Sequence, residues 1–408
     1  MSLYTNVQRR GNNILLRGYD KDGIPFKREV KYKPYLFVPA KTEQGYRNVH
    51  GKNVARIDFE SMRDASDFMH QNKDITGAEV YGLDKWIYPF IYDRYPGKLE
   101  FNKKFIKVAT IDIECEVTEG FPDVDLAMNE ITAITIGYAG FKIAMGCGEY
   151  TPTAKHIKYY KFKDEYAMLR GFLELWKNIM PDVVTGWYIE FFDIPYLVNR
   201  ITRLLSEADA KKLSPWEIIE ESELVVRGKK HNMKYPMGIS VIDYEPLYKK
   251  FNEKKKESYK LEFIAEDENL KVKKLNYKTK YKSLEEMRKK DFQMYMEYNI
   301  QDVEVVEQLD AKKGFLNLVY TIAYWAKINY KDVFGSVKPW DVIIHNYLMD
   351  RKIVVSPFKE PTIRELVGAW VKEPLPGLYR WAVSFDLNSL YPHLMMMFNI
   401  SPETYVGK

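Results

Sequence analysis

Cysteine is almost absent from this 408-residue sequence, which contains only Cys115 and Cys147. Two cysteines and six scattered histidines cannot supply a structural zinc cluster of the usual spacing, so any bound metal is expected on oxygen ligands. The same scarcity excludes a disulfide framework and indicates a reducing, cytosolic compartment.

Long apolar runs are also lacking, and no secretory leader is expected. The longest apolar stretch, residues 316–328, is interrupted by Asn317 and Thr321 and is too short to cross a bilayer. The N-terminal segment MSLYTNVQRRGNN has no apolar core of the kind that a signal peptide requires. We therefore expect no membrane span.

The composition is that of a folded protein, with 46% hydrophobic and 29% charged residues. At this length two or three domains are expected. The net charge of +5 is mild, but lysines interleaved with tyrosines concentrate in residues 248–260 and 271–290. These segments allow either phosphate contact with base stacking or a solvated lysine face.

Two patterns divide the chain near residue 105. Before it, short strands alternate with turns, as at Asn13–Tyr19 and Pro25–Val30, which indicates a small β-rich domain. After it, predicted strands alternate with helices, which is typical of an α/β layer structure. The strands are predicted at residues 106–114, 130–138, 141–147 and 182–187, and the helices at 164–180, with Asp164 as N-cap, and at 283–328, with a break near Gly314.

Acidic residues occur at three places where an element begins, ends or turns. Asp112 and Glu114 end an apolar strand and point to the same side, because side chains alternate along a strand. Asp193 opens a helix, and Tyr298 and Asp302 share one helix face through their spacing of four. Each has a structural alternative: exposed acids at a strand end, a helix N-cap, and a surface acid beside a half-buried tyrosine.

In combination the three motifs resemble those of the DEDDy exonucleases. The resemblance implies metal-dependent removal of nucleotides from 3′ ends, with Asp112, Glu114, Asp193 and Asp302 as the metal-binding acids. Four carboxylates balance two divalent cations, and oxygen ligands suit Mg²⁺ or Mn²⁺. Tyr298 is expected to orient the attacking water or a phosphate oxygen.

Further segments are similar to the T-even-like branch of the phage family B polymerases. They read VATIDIE, TGWYIEFFDIPY, SVIDYEPLYKKF, YNIQDVE, VKPWD and SFDLNSLYPHLMMMFNISPET. The resemblance implies an α/β multidomain chain with a β-rich N-terminal domain (1–105), a ribonuclease H-like 3′-5′ exonuclease domain (106–316), a helical return to the N-terminal domain (317–358) and an incomplete polymerase palm (359–408).

The last segment resembles polymerase motif A. The resemblance implies that Asp386 and the carbonyl of Leu387 bind catalytic metals and that Tyr391 excludes ribonucleotides. It also implies an incoming nucleotide held by the run that reads Leu387, Asn388, Ser389, Leu390 and Tyr391. From the residues themselves we expect a strand and then a helix over 384–398, with Pro392 starting the helix.

A second metal-binding acid and the nucleotide-binding helix of that family are missing from the sequence. Polymerisation is therefore expected only with a C-terminal polypeptide, whether the chain is one part of a split polymerase or a shortened polymerase. The resemblance also implies primer-template DNA and single-stranded 3′ ends as partners, with a sliding clamp and a single-strand-binding protein as further candidates. It places the protein in the cytoplasm of a phage-infected bacterium.

A basic turn between two strands is predicted around residues 224–244. The resemblance implies a hairpin that helps to separate primer from template, with Arg227, Lys229 and Lys230 as candidate DNA contacts. The second exonuclease motif departs from the family pattern, because Tyr188 stands where an asparagine is usual. A stand-alone repair or RNA-processing exonuclease and a non-catalytic nucleic-acid-binding subunit are the alternative functions.

Overall fold

The chain forms two units in the computed structural model, Met1–Phe358 and Lys359–Lys408. The structure describes residues 2–72, 75, 78–117, 120–226, 228–272, 275–355, 368–401, 404 and 406. The boundaries proposed from the sequence within the first unit stay predictions.

Antiparallel strands build the N-terminal part of the first unit. One sheet contains β1 (Leu3–Arg10), β2 (Asn13–Tyr19) and β3 (Pro25–Lys31). Strands β4 (Tyr35–Pro39), β5 (Tyr46–Asn48) and β6 (Asn53–Asp58) belong to a second sheet and are followed by helices α1 (Met62–Asn72) and α2 (Ile87–Arg94). The predicted β-rich N-terminus is confirmed.

A six-stranded sheet forms the centre of the unit. Its elements in chain order are β7 (Val108–Cys115), β8 (Ile131–Tyr138), β9 (Phe141–Gly146), β10 (Ile157–Lys161), α3 (Glu165–Ile179), β11 (Val183–Gly186), α4 (Asp193–Leu204), α5 (Glu207–Lys211), the hairpin strands β12 (Ile219–Val226) and β13 (Lys229–Pro236), and β14 (Ser240–Asp243). The strand order is β10-β9-β8-β7-β11-β14. Strand β7 is antiparallel to β8 and parallel to β11, which is parallel to β14.

Helices follow the sheet, and three of them lie in the helical span predicted at 283–328. They are α6 (Tyr244–Phe251), α7 (Leu261–Asp267), α8 (Leu284–Lys290), α9 (Phe292–Lys313), α10 (Phe315–Ala326) and α11 (Lys338–Met349), after which β15 (Ile353–Val354) pairs with β5. Gly314 separates α9 from α10 with a φ of 68°, a left-handed conformation that glycine adopts without steric cost. Within the described ranges, no helix combines the length and apolarity that a membrane crossing needs.

Side chains along β7 alternate between a buried apolar face and a face that carries the acids. Ile111, Ile113 and Cys115 are buried on one face, in the same core cluster as Phe172 and Trp176 of α3. Asp112 and Glu114 alternate with them and are only partly buried. Asp164 caps α3 by accepting the amide of Ala167 at 2.8 Å, which confirms the predicted N-cap.

Asp182 joins the N-terminal sheet to the central sheet. It lies just before β11 and is buried, and its carboxylate accepts the hydroxyls of Thr5 at 2.9 Å and Tyr19 at 2.6 Å. The same carboxylate accepts the amide of Lys107 at 2.9 Å and faces the Arg17 guanidinium at 3.4 Å. Two layers that are distant in sequence are therefore held together where β7 begins.

The second unit corrects one expectation. Residues 390–397 form helix α12 (Leu390–Met397), but the predicted strand leading to Asp386 is not formed. A strand is stable only when its backbone groups pair with a neighbour, and no other described segment of this unit supplies one. Helix α12 also begins two residues earlier than predicted, with Pro392 in its first turn, where its missing N–H costs no hydrogen bond.

Arg200 connects α4 to helix α3 and to the loop before β8, and its replacement tests that connection. Its guanidinium donates to both carboxylate oxygens of Glu165 at 2.8 and 2.6 Å and to the carbonyls of Ala127 and Met128. Arg200→Lys keeps the charge but loses the bidentate geometry, so the free energy of unfolding should fall by about 2 kcal/mol in a urea titration. Arg203→Lys, exposed one turn later, should change it by less than about 0.5 kcal/mol. Equal losses would contradict this account.

Candidate metal centre

Three carboxylates meet at the surface of the central sheet. Asp112, Glu114 and Asp302 each offer an oxygen, and these oxygens lie within 4.8 Å of one another. Asp112 and Glu114 are half-buried and Asp302 is buried. Among the described residues this is the one group of three acids, histidines or cysteines close enough to hold a metal ion.

Strand β7 and helix α9 together create this cluster. The strand directs Asp112 and Glu114 to one side, and α9 crosses that side. A register shift after Glu114 leaves Thr132 of β8 outside the regular pairing, and the Thr132 hydroxyl donates to the Glu114 carbonyl at 3.0 Å. Such bulges redirect a strand end and are common beside active sites.

Asn299 holds the carboxylate of Asp112 in place. Its amide nitrogen donates to Asp112 Oδ2 at 2.7 Å, and its amide oxygen accepts the hydroxyl of Thr135 at 2.5 Å. Asn299 is completely buried, so these partners fix both the orientation of the amide and the position of the carboxylate. Asn299 was not predicted as a site residue from the sequence, although it lies between the predicted Tyr298 and Asp302.

Asp193 is bonded to β7 between the two acids of the strand and feels the charge of Asp302. Its Oδ1 accepts the amide of Ile113, the residue between the two acids of the strand, at 2.9 Å. The helix N-cap alternative is wrong, because Asp193 is the first residue of α4 and the N-cap position belongs to Phe192. Burial raises the pKa of Asp193 to about 7; the Ile113 amide opposes this rise, and the charges of Asp243 and Asp302 add to it.

Tyr298 and Asp302 lie one turn apart on α9, as their spacing predicts. Their exposed fractions are only 8% and 6%, so the alternative of a surface acid beside a half-buried tyrosine is wrong. The ring of Tyr298 meets the ring of Tyr277 edge-on, with a centroid distance of 5.7 Å. Burial and this ring contact restrict the side chain to one region beside Asp302.

Asp243 fixes the loop that leads to Asp193. It ends β14, next to Gly186 of β11, and its two carboxylate oxygens accept the amides of Tyr188 at 2.9 Å and Glu190 at 3.0 Å. Burial raises the pKa of Asp243 to about 7, and these amide bonds act in the opposite direction. The role of Asp243 in fixing this loop was not predicted from the sequence. Its position, an acid at the end of an apolar strand, is the same pattern that pointed to Asp112.

The predicted hairpin is formed by β12 and β13, which pair along their whole length. Arg227 and the side chain of Lys229 lie outside the described residues. Lys230 is exposed and pairs with Glu223 of the opposite strand at 3.0 Å. The three proposed DNA contacts therefore stay predictions.

Lysines in the two basic segments pair with nearby acids. Lys249 meets Glu245 at 2.6 Å, and Lys256 meets Asp267. In the second segment the pairs are Lys280 with Asp291, Lys289 with Glu285, and Lys290 with Glu286, at 3.0, 3.0 and 2.7 Å. For these five lysines the pairs favour the solvated-face interpretation over phosphate contact.

The motif A residues lie in the second unit. Asp386 and Leu387 precede a turn at Asn388, Ser389 has a φ of 56°, and Leu390 and Tyr391 open α12. Their predicted roles in metal and nucleotide binding stay predictions.

Comparison with known proteins identifies relatives over the whole chain. A family model described as DNA polymerase family B, exonuclease domain, matches residues 57–264, and one described as DNA polymerase family B matches residues 336–408. The DNA-directed DNA polymerases of Escherichia phage RB69 and Enterobacteria phage T4 are 36% and 35% identical, each across 99% of this chain and 47% of the relative. The DNA polymerase of Pyrococcus glycovorans is 24% identical across 96% of this chain and 53% of its own. The chain thus spans about half the length of these relatives.

Repulsion among the clustered carboxylates should lower the free energy of unfolding of the metal-free protein. Two unit charges 4.8 Å apart repel by a few kcal/mol at an effective dielectric constant of about 20, so losing one charge should stabilise the metal-free protein. Glu114→Gln should raise the free energy of unfolding by about 1 kcal/mol in chelator and remove most of the stabilisation that Mn²⁺ gives the unsubstituted chain.

Glu116→Gln is the matched control for that measurement. Glu116 follows two residues later and pairs with Arg288 at 3.4 Å, so its replacement should cost a few tenths of a kcal/mol and leave the Mn²⁺ effect intact. A Glu114→Gln variant that is less stable in chelator, or that Mn²⁺ stabilises fully, would contradict the repulsive metal site.

Proposed function

This chain belongs to DNA polymerase family B, and from that premise we propose that it removes nucleotides from the 3′ ends of DNA by metal-dependent hydrolysis. The observation that carries the proposal is the convergence of Asp112, Glu114 and Asp302 within 4.8 Å. Asp112 and Glu114 lie inside the region that the exonuclease-domain model matches. Asp193 joins them through the amide of Ile113.

The donor set fits divalent ions that prefer oxygen. Three clustered carboxylates and a fourth beside them match the charge of two Mg²⁺ or Mn²⁺ ions, and among the described residues no sulfur or imidazole ligand belongs to the group. When bound, such ions lower the pKa of a coordinated water and stabilise the charge on the departing 3′ oxygen.

The protein contributes orientation. Asn299 donates to one oxygen of Asp112 and so holds that carboxylate in the cluster with Glu114 and Asp302. Tyr298, one turn before Asp302, is proposed to hold the attacking water or a phosphate oxygen through its hydroxyl. No protein nucleophile takes part, because the attacking group is water.

The wider activity proposed for this chain is that of the first part of a replicative polymerase in an infected bacterial cell. Primer-template DNA and single-stranded 3′ ends are its proposed substrates, with the β12–β13 hairpin and Lys230 beside the strand. Since the chain spans about half the length of its polymerase relatives, Asp386, Leu387 and Tyr391 are proposed to supply one part of a polymerase site whose other part corresponds to the remaining half of those relatives. Residues 384–398 are proposed as the contact surface between the two parts. A sliding clamp and a single-strand-binding protein are further proposed partners.

Replacing two of the acids tests the exonuclease. Asp112→Ala/Glu114→Ala should reduce Mg²⁺-dependent shortening of a 5′-labelled single strand by at least about 1,000-fold, because two of the metal ligands on one strand are lost together. The matched control Glu149→Ala/Glu207→Ala removes two exposed acids and should retain full activity. An undiminished rate in the first variant would refute the assignment.

The pattern of products separates the alternative functions. Faster removal of mispaired than of paired 3′ termini supports proofreading, and equal rates support general repair. Metal-independent binding without any hydrolysis supports a non-catalytic DNA-binding subunit.

A primer-extension assay tests the proposed division of the polymerase site. The chain alone, supplied with primer-template, Mg²⁺ and nucleotides, should only shorten the primer. Adding the C-terminal half of a family B polymerase similar to this chain should convert shortening into extension, and Asp386→Ala should prevent that conversion. Extension by the chain alone would contradict the proposal.

A further inference from the structure

Tyr188, five residues before Asp193, presents an exposed aromatic ring. It is 42% exposed, and its ring stacks on Phe191 with a centroid distance of 5.2 Å and an interplanar angle of 19°. Its backbone has a φ of 67°, a region that aromatic residues rarely adopt. A disfavoured backbone conformation costs free energy and persists only where other interactions compensate, and such residues are common at functional sites.

The loop around this ring is held from two directions. The buried carboxylate of Asp243 accepts the amides of Tyr188 and Glu190, which offsets the unfavourable backbone conformation. The side chain of Glu190 accepts the hydroxyl of Tyr235 on β13 and the ammonium of Lys331 at 2.7 Å. The ring therefore stands on a fixed backbone and loses little conformational entropy when a ligand stacks on it.

The hairpin supports the stack from the side. His231 of β13 meets the ring of Phe191 edge-on, at 5.4 Å between centroids and an interplanar angle of 84°. Phe191 is thus held between Tyr188 and His231, and Tyr188 is the more exposed ring of the pair. A two-ring stack with one open side has the form of a stacking platform.

The platform lies within reach of the carboxylates. Phe191 precedes Asp193 by two residues, so their Cα atoms are at most roughly 7 Å apart. Asp193 in turn contacts the amide of Ile113, between Asp112 and Glu114. A nucleoside attached to a phosphate at the acids could therefore place its base on the ring of Tyr188.

We propose that Tyr188, backed by Phe191, is a stacking subsite for one unpaired nucleobase of the DNA strand that the acids shorten. The inference rests on the proposed exonuclease function. Phosphates are repelled by the neighbouring carboxylates until cations bind, so an uncharged contact through the base supplies binding energy that the acids cannot. Stacking accepts every base, because each has a π-face, so the subsite holds any terminus without selecting its sequence.

Abasic substitution combined with mutation tests the subsite. The substrates are a single strand with all bases and three strands that lack one base at the last, second or third position from the 3′ end. Tyr188→Asn removes the ring and suits the left-handed backbone, Tyr188→Phe keeps the ring, and Tyr166→Asn, in an exposed tyrosine of α3, is the control. Single-turnover hydrolysis at increasing protein concentration gives the half-saturating concentration and the maximal rate separately.

Loss of the base at one of the three positions should raise the half-saturating protein concentration about tenfold for the unsubstituted chain, for Tyr188→Phe and for Tyr166→Asn. The same position should have no effect on Tyr188→Asn, which should bind the complete strand about tenfold more weakly while its maximal rate changes little. Equal sensitivity of Tyr188→Asn and the unsubstituted chain to every abasic position would overturn the subsite, as would complete-strand binding by Tyr188→Asn that equals that of Tyr188→Phe.

Failure of the subsite and failure of the exonuclease are distinguishable in this assay. If no variant hydrolyses any strand with Mg²⁺, the proposed function fails, and the subsite for a strand being shortened fails with it. If all variants hydrolyse the strands but an abasic position raises the half-saturating concentration equally with and without the ring of Tyr188, only the subsite fails. A Tyr188→Asn effect that is equal on all four strands would show that the ring supports the loop and would also overturn stacking.

Discussion

Mutual repulsion among the carboxylates of Asp112, Glu114 and Asp302 is the constraint on which the rest of the structure depends. Their oxygens lie within 4.8 Å of one another, an arrangement that costs free energy unless cations neutralise it. The surrounding fold holds the acids together despite this cost: α9 is fixed across β7 by Asn299, and Asp193 is fixed to the same strand by the amide of Ile113. The carboxylate cluster thus lowers the stability of the metal-free protein, and the packing of the surrounding elements offsets this loss.

Each part of that surrounding fold has a separate anchor. Arg200 and Glu165 attach the helix that begins at Asp193, and Asp182 attaches the N-terminal sheet at the edge where β7 begins. Asp243 fixes the loop between β11 and α4. These anchors are buried polar groups with several partners each, so a small displacement would leave polar atoms unsatisfied. The acids therefore occupy positions determined by the whole unit.

Much of this arrangement was accessible from the sequence, because periodicity is local. Alternation placed Asp112 and Glu114 on one side of β7, and the four-residue spacing placed Tyr298 and Asp302 on one face of α9. Asp193 was ambiguous, since only its tertiary contact with Ile113 distinguishes an acid held at the cluster from a helix cap. Asn299 and Asp243 were missed because their partners are distant in sequence. The prediction of a strand before Asp386 was wrong. A segment with strand propensity forms a strand only when a neighbouring strand pairs with its backbone. The left-handed backbone of Tyr188 had no sequence signal.

The central claim is that these acids form a two-cation centre, and anomalous diffraction from crystals soaked in Mn²⁺ tests it most directly. The account predicts two manganese peaks about 4 Å apart, bounded by the carboxylates of Asp112, Glu114, Asp193 and Asp302. Crystals that show no manganese between Asp112, Glu114 and Asp302, at a Mn²⁺ concentration that supports hydrolysis in solution, would contradict it.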